Sequence, residues 1–434
     1  MIQRSLGLGK KAIFDPLVQS TAAFFMAVIA AGVANYGLQV VLGRAMSKVD
    51  YGFLNALLGV FVVLGVPVAT ISMMVSRKTS EYRASGNKPA IGTMLKSLTR
   101  RIGLFGIVGL IIFGMIVGPL SRFLNSTSYV PVLVLGFCLF ASMLSPVPLA
   151  ILQGMQIQSW FAFFQGFNGV ARFLFCGLAA LIGFGVNGVM VGMFLSLVFI
   201  WAWSYFVVKK NIGVFSPVEN HVSFNWKQAM PVLVGNFSFA LLTQIDLILV
   251  NRLFPPQEAS IYASAAVLGR AVVYIPGALV LAMFPMVAEQ RAKNLKTHVL
   301  LIKSLLLTIF ISGIGAALFF IWPQEILGFL FSNKYDASAP ILKFYGLNML
   351  SMAVVMVLFH YLIARGDSLF GFFMLIGAII EIYLIYQYHQ SPLSIVFILG
   401  GVGTVLLVVG LVFSWFGRPL FFAGARNYAS SIGA

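Results

Sequence analysis

About twelve apolar runs, each of about 20 residues, follow one another along this chain, and a run of that length crosses the hydrocarbon core of a bilayer. They are centred in 21–42, 51–75, 102–118, 130–152, 160–182, 186–208, 229–253, 261–287, 300–322, 339–363, 369–388 and 392–416. Hydrophobic residues make up 60% of the 434 residues and charged residues only 9%, against about 25% charged in a soluble domain. Water is therefore not the main solvent of this chain. The expectation is an all-α polytopic membrane protein.

The runs are also duplicated. Arg44 and Asp50 close the first span, and Arg252 and Glu258, with the same spacing, close the seventh. Further along each copy, Pro67 answers to Pro276, Asn87 to Asn294, and Gln153-Gly154 to Arg365-Gly366, at offsets from 207 to 212 residues. An even number of spans per copy makes the copies parallel repeats, related by an axis along the membrane normal, a plan found in transporters with the substrate path between the copies. The predicted organisation is a six-helix lobe over 1–208, a linker over 209–228 and a second six-helix lobe over 229–434, arranged around a central cavity.

A formal charge of +17 raises nucleic acid as a partner, but the placement of the charge argues otherwise. Of the 28 Lys and Arg, twenty fall on the side of the N-terminus. Six fall on the other side (Arg44, Lys48, Arg122, Arg252, Lys334 and Lys343), and Arg172 and Arg270 lie inside spans. This is the positive-inside bias. It predicts a multi-pass membrane protein with both termini cytoplasmic, and it removes the case for nucleic acid. Met1 to Pro16 carries Arg4, Lys10 and Lys11 among apolar residues and reads as an interfacial segment rather than a cleaved signal. Cys138 and Cys176 fall inside spans and read as small packing residues. The four histidines have no metal-ligand spacing, so neither a metal nor a cofactor is expected.

The longest connection, Lys209 to Trp226, is about 18 residues, too short for a separate domain. No G-x-x-x-x-G-K-[ST] phosphate loop is present, and the carboxylates of the outer loops are few: Asp50, Glu258, Glu325 and Asp336. Enzymatic chemistry, including glycan polymerisation, is disfavoured for want of a catalytic loop.

Ionisable residues within a span cost roughly 2.5–3.5 kcal/mol on insertion scales, so they face a cavity or a partner. Gln165, Asn168 and Arg172 share one helical face, either lining a water-filled cavity or joining helices. Asn35 and Gln39 make a second polar face in span one. Asp246 and Arg270 lie at similar depths in spans seven and eight, where they form either a structural salt bridge or an anion site with its resting partner. Tyr274 shares a face with Arg270. Glu381, in span eleven, has no opposite charge near it on its own helix and is a candidate for coupling or for a neutral, hydrogen-bonded role. Pro67, Pro146, Pro148, Pro276 and Pro285 fall inside spans and predict bends.

Leu42-Gly43-Arg44 through Asp50-Tyr51-Gly52, Leu268-Gly269-Arg270 with Pro276 and Pro285, and Ile151-Leu152-Gln153-Gly154 together resemble the multidrug/oligosaccharidyl-lipid/polysaccharide exporter superfamily. Within it, the chain is most similar to the polysaccharide biosynthesis, Wzx-type, oligosaccharide flippases. Met46 and Ser47 stand where relatives often place a turn glycine. The chain ends soon after span twelve, where the lipid II branch carries two more helices, which speaks against a peptidoglycan precursor as substrate.

The resemblance implies a plasma (inner) membrane flippase for a polyprenyl-diphosphate-linked oligosaccharide in surface polysaccharide synthesis, working by alternating access. Its partners would be lipid-linked oligosaccharide, membrane lipid and a glycan polymerase or other assembly proteins. Arg172 and Arg270 would meet the diphosphate, and Gln165, Asn168, Asn35, Gln39 and Tyr274 the rest of the head. A cation-coupled multidrug or metabolite antiporter of the same fold, using Asp246 or Glu381, is the alternative.

Overall fold

The computed structural model describes residues 16–212, 226–274, 276–293, 295, 297–367 and 369–416. The expected interfacial segment before Pro16, most of the expected linker, and Asn294 of the repeat lie outside the described residues. Every regular element within them is helical, and eleven helices are long and apolar enough to cross a membrane.

In chain order the helices are α1 (Pro16–Ala45), α2 (Lys48–Leu64), α3 (Val66–Ala84), α4 (Lys88–Phe123), α5 (Val130–Leu144), α6 (Pro146–Gly154), α7 (Gln158–Leu181) and α8 (Gly185–Ile212). The second half contains α9 (Trp226–Leu253), α10 (Pro256–Gly269), α11 (Ala271–Tyr274), α12 (Gly277–Ala292), α13 (His298–Ile321), α14 (Pro323–Phe331), α15 (Ala339–Arg365), α16 (Leu369–Gln387) and α17 (Pro392–Phe416).

The prolines explain where spans break. Span two divides between α2 and α3 just before Pro67, and span eight divides among α10, α11 and α12 around Pro276. Span four divides at Ser145, where Pro146 and Pro148 open α6. A proline lacks the amide proton that the preceding turn would accept and crowds the carbonyl behind it. Pro285 behaves differently, since α12 continues through it. Of the twelve expected crossings, span eight is the one with no counterpart among the eleven membrane-length candidates, since the halves of spans two and four still run on as one apolar stretch each.

The duplicated Arg–Asp/Glu signature proves to be a helix corner. Arg44 and Arg252 lie in the last turns of α1 and α9, and Asp50 and Glu258 lie in the first turns of α2 and α10. Each charge complements the partial charge of its helix end. In the first copy Ser47 also caps α2, its hydroxyl accepting from the Asp50 amide at 3.1 Å and donating to Asp50 Oδ2 at 2.8 Å. Ser47, one of the two residues that depart from the turn glycine of the resemblance, thus serves as a helix cap.

Described residues within Met1–Met46 and Pro67–Phe224 form one compact unit, and those within Ser47–Val66 and Asn225–Ala434 form the other. In the first unit, α1 and α7 run side by side through small residues: Gly166 sits on Ala27, Gly169 on Ala31, and Gly177 near Leu38. Small residues of this kind allow close backbone approach in a membrane. Cys138 and Cys176 are free thiols that donate to the carbonyls of Met190 at 3.6 Å and Val189 at 3.4 Å, tying α5 and α7 to α8.

In the second unit, α2 packs on α10 and α9. A Cβ on Gly52 would meet the Ser260 Cα at 2.9 Å, and Gly59 lies against Ile248. Tyr51 is fully buried in an aromatic pocket, its ring 5.8 Å from Phe331 and 5.6 Å from Tyr335. Asp50-Tyr51-Gly52 therefore divides its labour among helix start, pocket and close approach.

Candidate functional site

The polar residues of the spans fall into two groups, one in each unit. In the first unit, α7 presents Gln165, Asn168 and Arg172, and α1 presents Asn35 and Gln39, all half-buried. The contacts of Gly166, Gly169 and Gly177 on α1 keep a constant register, which puts Asn35 within one turn of the level of Arg172. The ring of Phe173 lies against Gly37.

Among the described residues no carboxylate is ion-paired with Arg172. Its Nε is buried without a hydrogen-bond partner, and the titratable groups within electrostatic reach are the thiols of Cys176 and Cys138. The sequence supplies no alternative nearby, since no Asp or Glu occurs between Glu81 and Glu219. Gln39 Oε1 is a second buried polar atom without a partner. The group sets amide side chains on the same two packed helices as the guanidinium of Arg172, whose planar donors are of the kind that bind anions.

The second group is closed. Arg270 caps the C-terminus of α10, and its Nη2 donates to Asp246 Oδ1 of α9 at 2.7 Å. Arg270 Nε donates to the Tyr345 hydroxyl of α15 at 3.1 Å. That hydroxyl donates in turn to Asp246 Oδ2 at 2.8 Å, and Tyr262 of α10 donates to the same oxygen at 2.9 Å. All four side chains are buried. Gly269 leaves the space that the Tyr345 ring fills, for a Cβ there would meet its Cδ1 at 2.5 Å. Of the two arrangements open to Asp246 and Arg270, the structure contains the salt bridge. Each charge is paired and hydrogen-bonded, which is the condition for keeping an ion pair in an apolar interior.

Tyr274 stands apart from this network, half-exposed, and its hydroxyl accepts from Gln244 Nε2 at 3.1 Å. Glu381 is fully buried on α16, and neither of its carboxyl oxygens has a hydrogen-bond partner. The register of α16 on α9, set by Gly371 against Gly235 and by Ser238 Oγ donating to the Gly371 carbonyl at 3.3 Å, brings Glu381 to about the level of Asp246. Tyr262 and Tyr345 are the members that sequence reasoning missed. The available signal was a tyrosine hydroxyl within an apolar run, which needs a partner when buried. Among the described residues no cluster of His, Cys, Asp and Glu is arranged to hold a metal.

A family model described as polysaccharide biosynthesis protein matches residues 41–340. No curated protein matches the chain. Among solved structures, an inward-facing multidrug resistance MATE family transporter of the MOP superfamily aligns with a TM-score of 0.70 at 12% identity, over 89% of this chain and 97% of the other. The lipid II flippase MurJ in an inward closed conformation aligns with a TM-score of 0.66 at 14% identity, over 92% and 87%. A MOP superfamily transporter from Pyrococcus furiosus aligns with a TM-score of 0.65 at 13% identity, over 91% and 94%. At these identities the likeness is one of fold.

Proposed function

Because this chain belongs to the polysaccharide biosynthesis protein family and has the MOP superfamily transporter fold, we propose that it flips a polyprenyl-diphosphate-linked oligosaccharide across the plasma membrane, with both termini cytoplasmic. No covalent bond is made or broken in this step. The polyprenyl tail stays in lipid while the charged head crosses by alternating exposure of a polar site to the two sides. Glycan polymerase and other assembly proteins would act on the same pathway.

The observation that carries the reading is Arg172, a guanidinium inside a span with no matching carboxylate among the described residues. A charge so placed is costly unless something transient neutralises it. A diphosphate suits the task, since the guanidinium fork matches phosphate oxygens. Gln165, Asn168, Asn35 and Gln39 would then hydrogen-bond the sugars next to the diphosphate. Arg270 is held by Asp246 and Tyr345. It would serve as a second anion ligand, with Tyr274 nearby, only in a state where Asp246 lets it go, and Glu381 at the same level would be the group that couples such a release to an ion.

The test is a strain lacking the gene, complemented with the intact gene or with Arg172→Ala. Loss of surface glycan with accumulation of the lipid-linked oligosaccharide, restored by the intact gene but not by the variant, is the expected result. Normal surface glycan in the deletion strain would overturn the reading and favour the antiporter that uses Asp246 or Glu381.

A further inference from the structure

One face of α4 carries a charge for which the described residues supply no ion-pair partner. The helix has 36 residues, a length of about 54 Å, whereas the hydrocarbon core is about 30 Å thick. The uncharged stretch from Leu104 to Ser121, about 27 Å long, covers most of that thickness by itself, which leaves Lys96, Arg100 and Arg101 at headgroup level. All three are exposed, and none is ion-paired among the described residues.

The opposite face of the same stretch is locked into the first unit. Met94, Leu95, Leu98 and Ile102 are buried in a core that includes Val75, Ile151 and Val208. The orientation of the cations is therefore set by packing. Thr93, Lys96, Ser97, Arg100, Arg101 and Leu104 line a groove of about 450 Å³. Below it on the helix, Phe105, Val108, Ile112 and Met115 are exposed, Met115 at 76% and Phe105 at 74%. The cationic groove thus continues into an apolar strip, with Leu104 at the junction.

We propose that this groove binds an anionic phospholipid of the leaflet that surrounds it, the phosphate between Lys96 and Arg100 and one acyl chain along the apolar strip. A phosphate is the counter-charge that the described residues lack, and Thr93 and Ser97, whose hydroxyls donate to the carbonyls of Pro89 and Met94, are the polar lining beside it. The apolar strip selects a lipid over a free anion, because only a lipid fills both halves. Basic residues at this depth each attract anionic lipid by an amount that multiplies across a cluster. The site is separate from Arg172, and it stands whatever cargo the protein carries.

The experiment uses the full chain in mixed micelles of phosphatidylcholine and detergent. Phosphatidylglycerol with the same acyl chains is added in steps, and bound lipid is counted by native mass spectrometry. Lys96→Gln with Arg100→Gln is compared with Lys209→Gln with Lys210→Gln, which removes two exposed cations from the end of α8. The groove pair should lose affinity for phosphatidylglycerol about 30-fold, with unchanged thermal unfolding in phosphatidylcholine alone, and the α8 pair should stay close to the unaltered protein. Equal losses in both pairs would mean a diffuse surface charge and would overturn the proposal. It would also fail if phosphatidylglycerol were retained no better than phosphatidylcholine. A third overturning result would be equal thermal stabilisation by inorganic diphosphate without added anionic lipid, which marks a free-anion site.

Discussion

Arg270 Nη2 lies 2.7 Å from Asp246 Oδ1, and the hydroxyl of Tyr345 closes the loop between the two side chains. The pair joins the broken span eight to α9 and α15. It fixes the corner at Arg270, where α10 ends and α11 begins, six residues before Pro276.

Removing one member of this pair leaves the other charge buried without its match, at a cost of about 3–5 kcal/mol. Asp246→Asn and Arg270→Gln should each lower the thermal unfolding midpoint in detergent strongly. Asp246→Leu combined with Arg270→Met should recover most of the loss, because an apolar pair of similar volume is close to neutral. A double variant as unstable as the worse single one would show that the network holds more than the pair.

Tyr345→Phe and Tyr262→Phe separate the two hydroxyls. Tyr345 both accepts from Arg270 and donates to Asp246, while Tyr262 only donates. Loss of a hydrogen bond to a charged group costs about 1.5–3 kcal/mol. Denaturation of the two variants should therefore rank Tyr345→Phe as the more damaging, and the reverse order would assign the bridging role to Tyr262.

Glu381 offers the contrast. Neither of its oxygens is hydrogen-bonded, so Glu381→Gln removes no partner and lifts the cost of burying an acid. Its thermal midpoint should stay level or rise while that of Asp246→Asn falls. Equal destabilisation of the two would reveal a partner for Glu381 in the working protein.

Arg172→Gln should separate stability from export. An unmatched cation within a span costs roughly 2.5–3.5 kcal/mol on insertion scales, so its removal should leave the unfolding midpoint unchanged or higher while surface glycan is lost. Arg172→Lys keeps the charge without the fork and should restore export only in part, as quantified by surface glycan. Full export by Arg172→Gln would remove Arg172 from the site.

Two glycines test the packing account. A Cβ at Gly52 would strike the Ser260 backbone, whereas at Gly32 nothing lies within 4 Å. Gly52→Ala should destabilise by about 1–3 kcal/mol through overpacking. Gly32→Ala, inside α1, should stabilise by about 0.5–1 kcal/mol, since alanine loses less freedom in a helix. Chemical denaturation of the two variants should therefore show shifts of opposite sign.

Much of this was legible in the chain. The spans, the duplication and the placement of charge depend on residues close in sequence, because partition into lipid is a property of each run of about 20 residues. The repeated Arg and Asp/Glu of the corners were visible too, although their local meaning as helix-end charges came only with the helix boundaries. The breaks at Pro67, Pro146 and Pro276 followed from proline's missing donor, and Pro285 shows that the same residue does not always divide a span.

The tertiary structure decided what the polar residues do. Gln165, Asn168 and Arg172 share a face by spacing alone, but that Arg172 remains unmatched depends on which helices lie beside α7. Asp246 and Arg270 are set at similar depths by the chain. Their bonding to Tyr345, 99 residues from Asp246, and to Tyr262 was decided by the packing of α9, α10 and α15. Glu381 comes level with Asp246 through the glycine contact of α16 on α9, and nothing in its own segment marks it as lacking a hydrogen bond. Sequence determines which segments enter the membrane, because burial in lipid is summed locally. Only folding determines which buried charges are matched, because a hydrogen bond is made or lost within an ångström between side chains far apart in the chain.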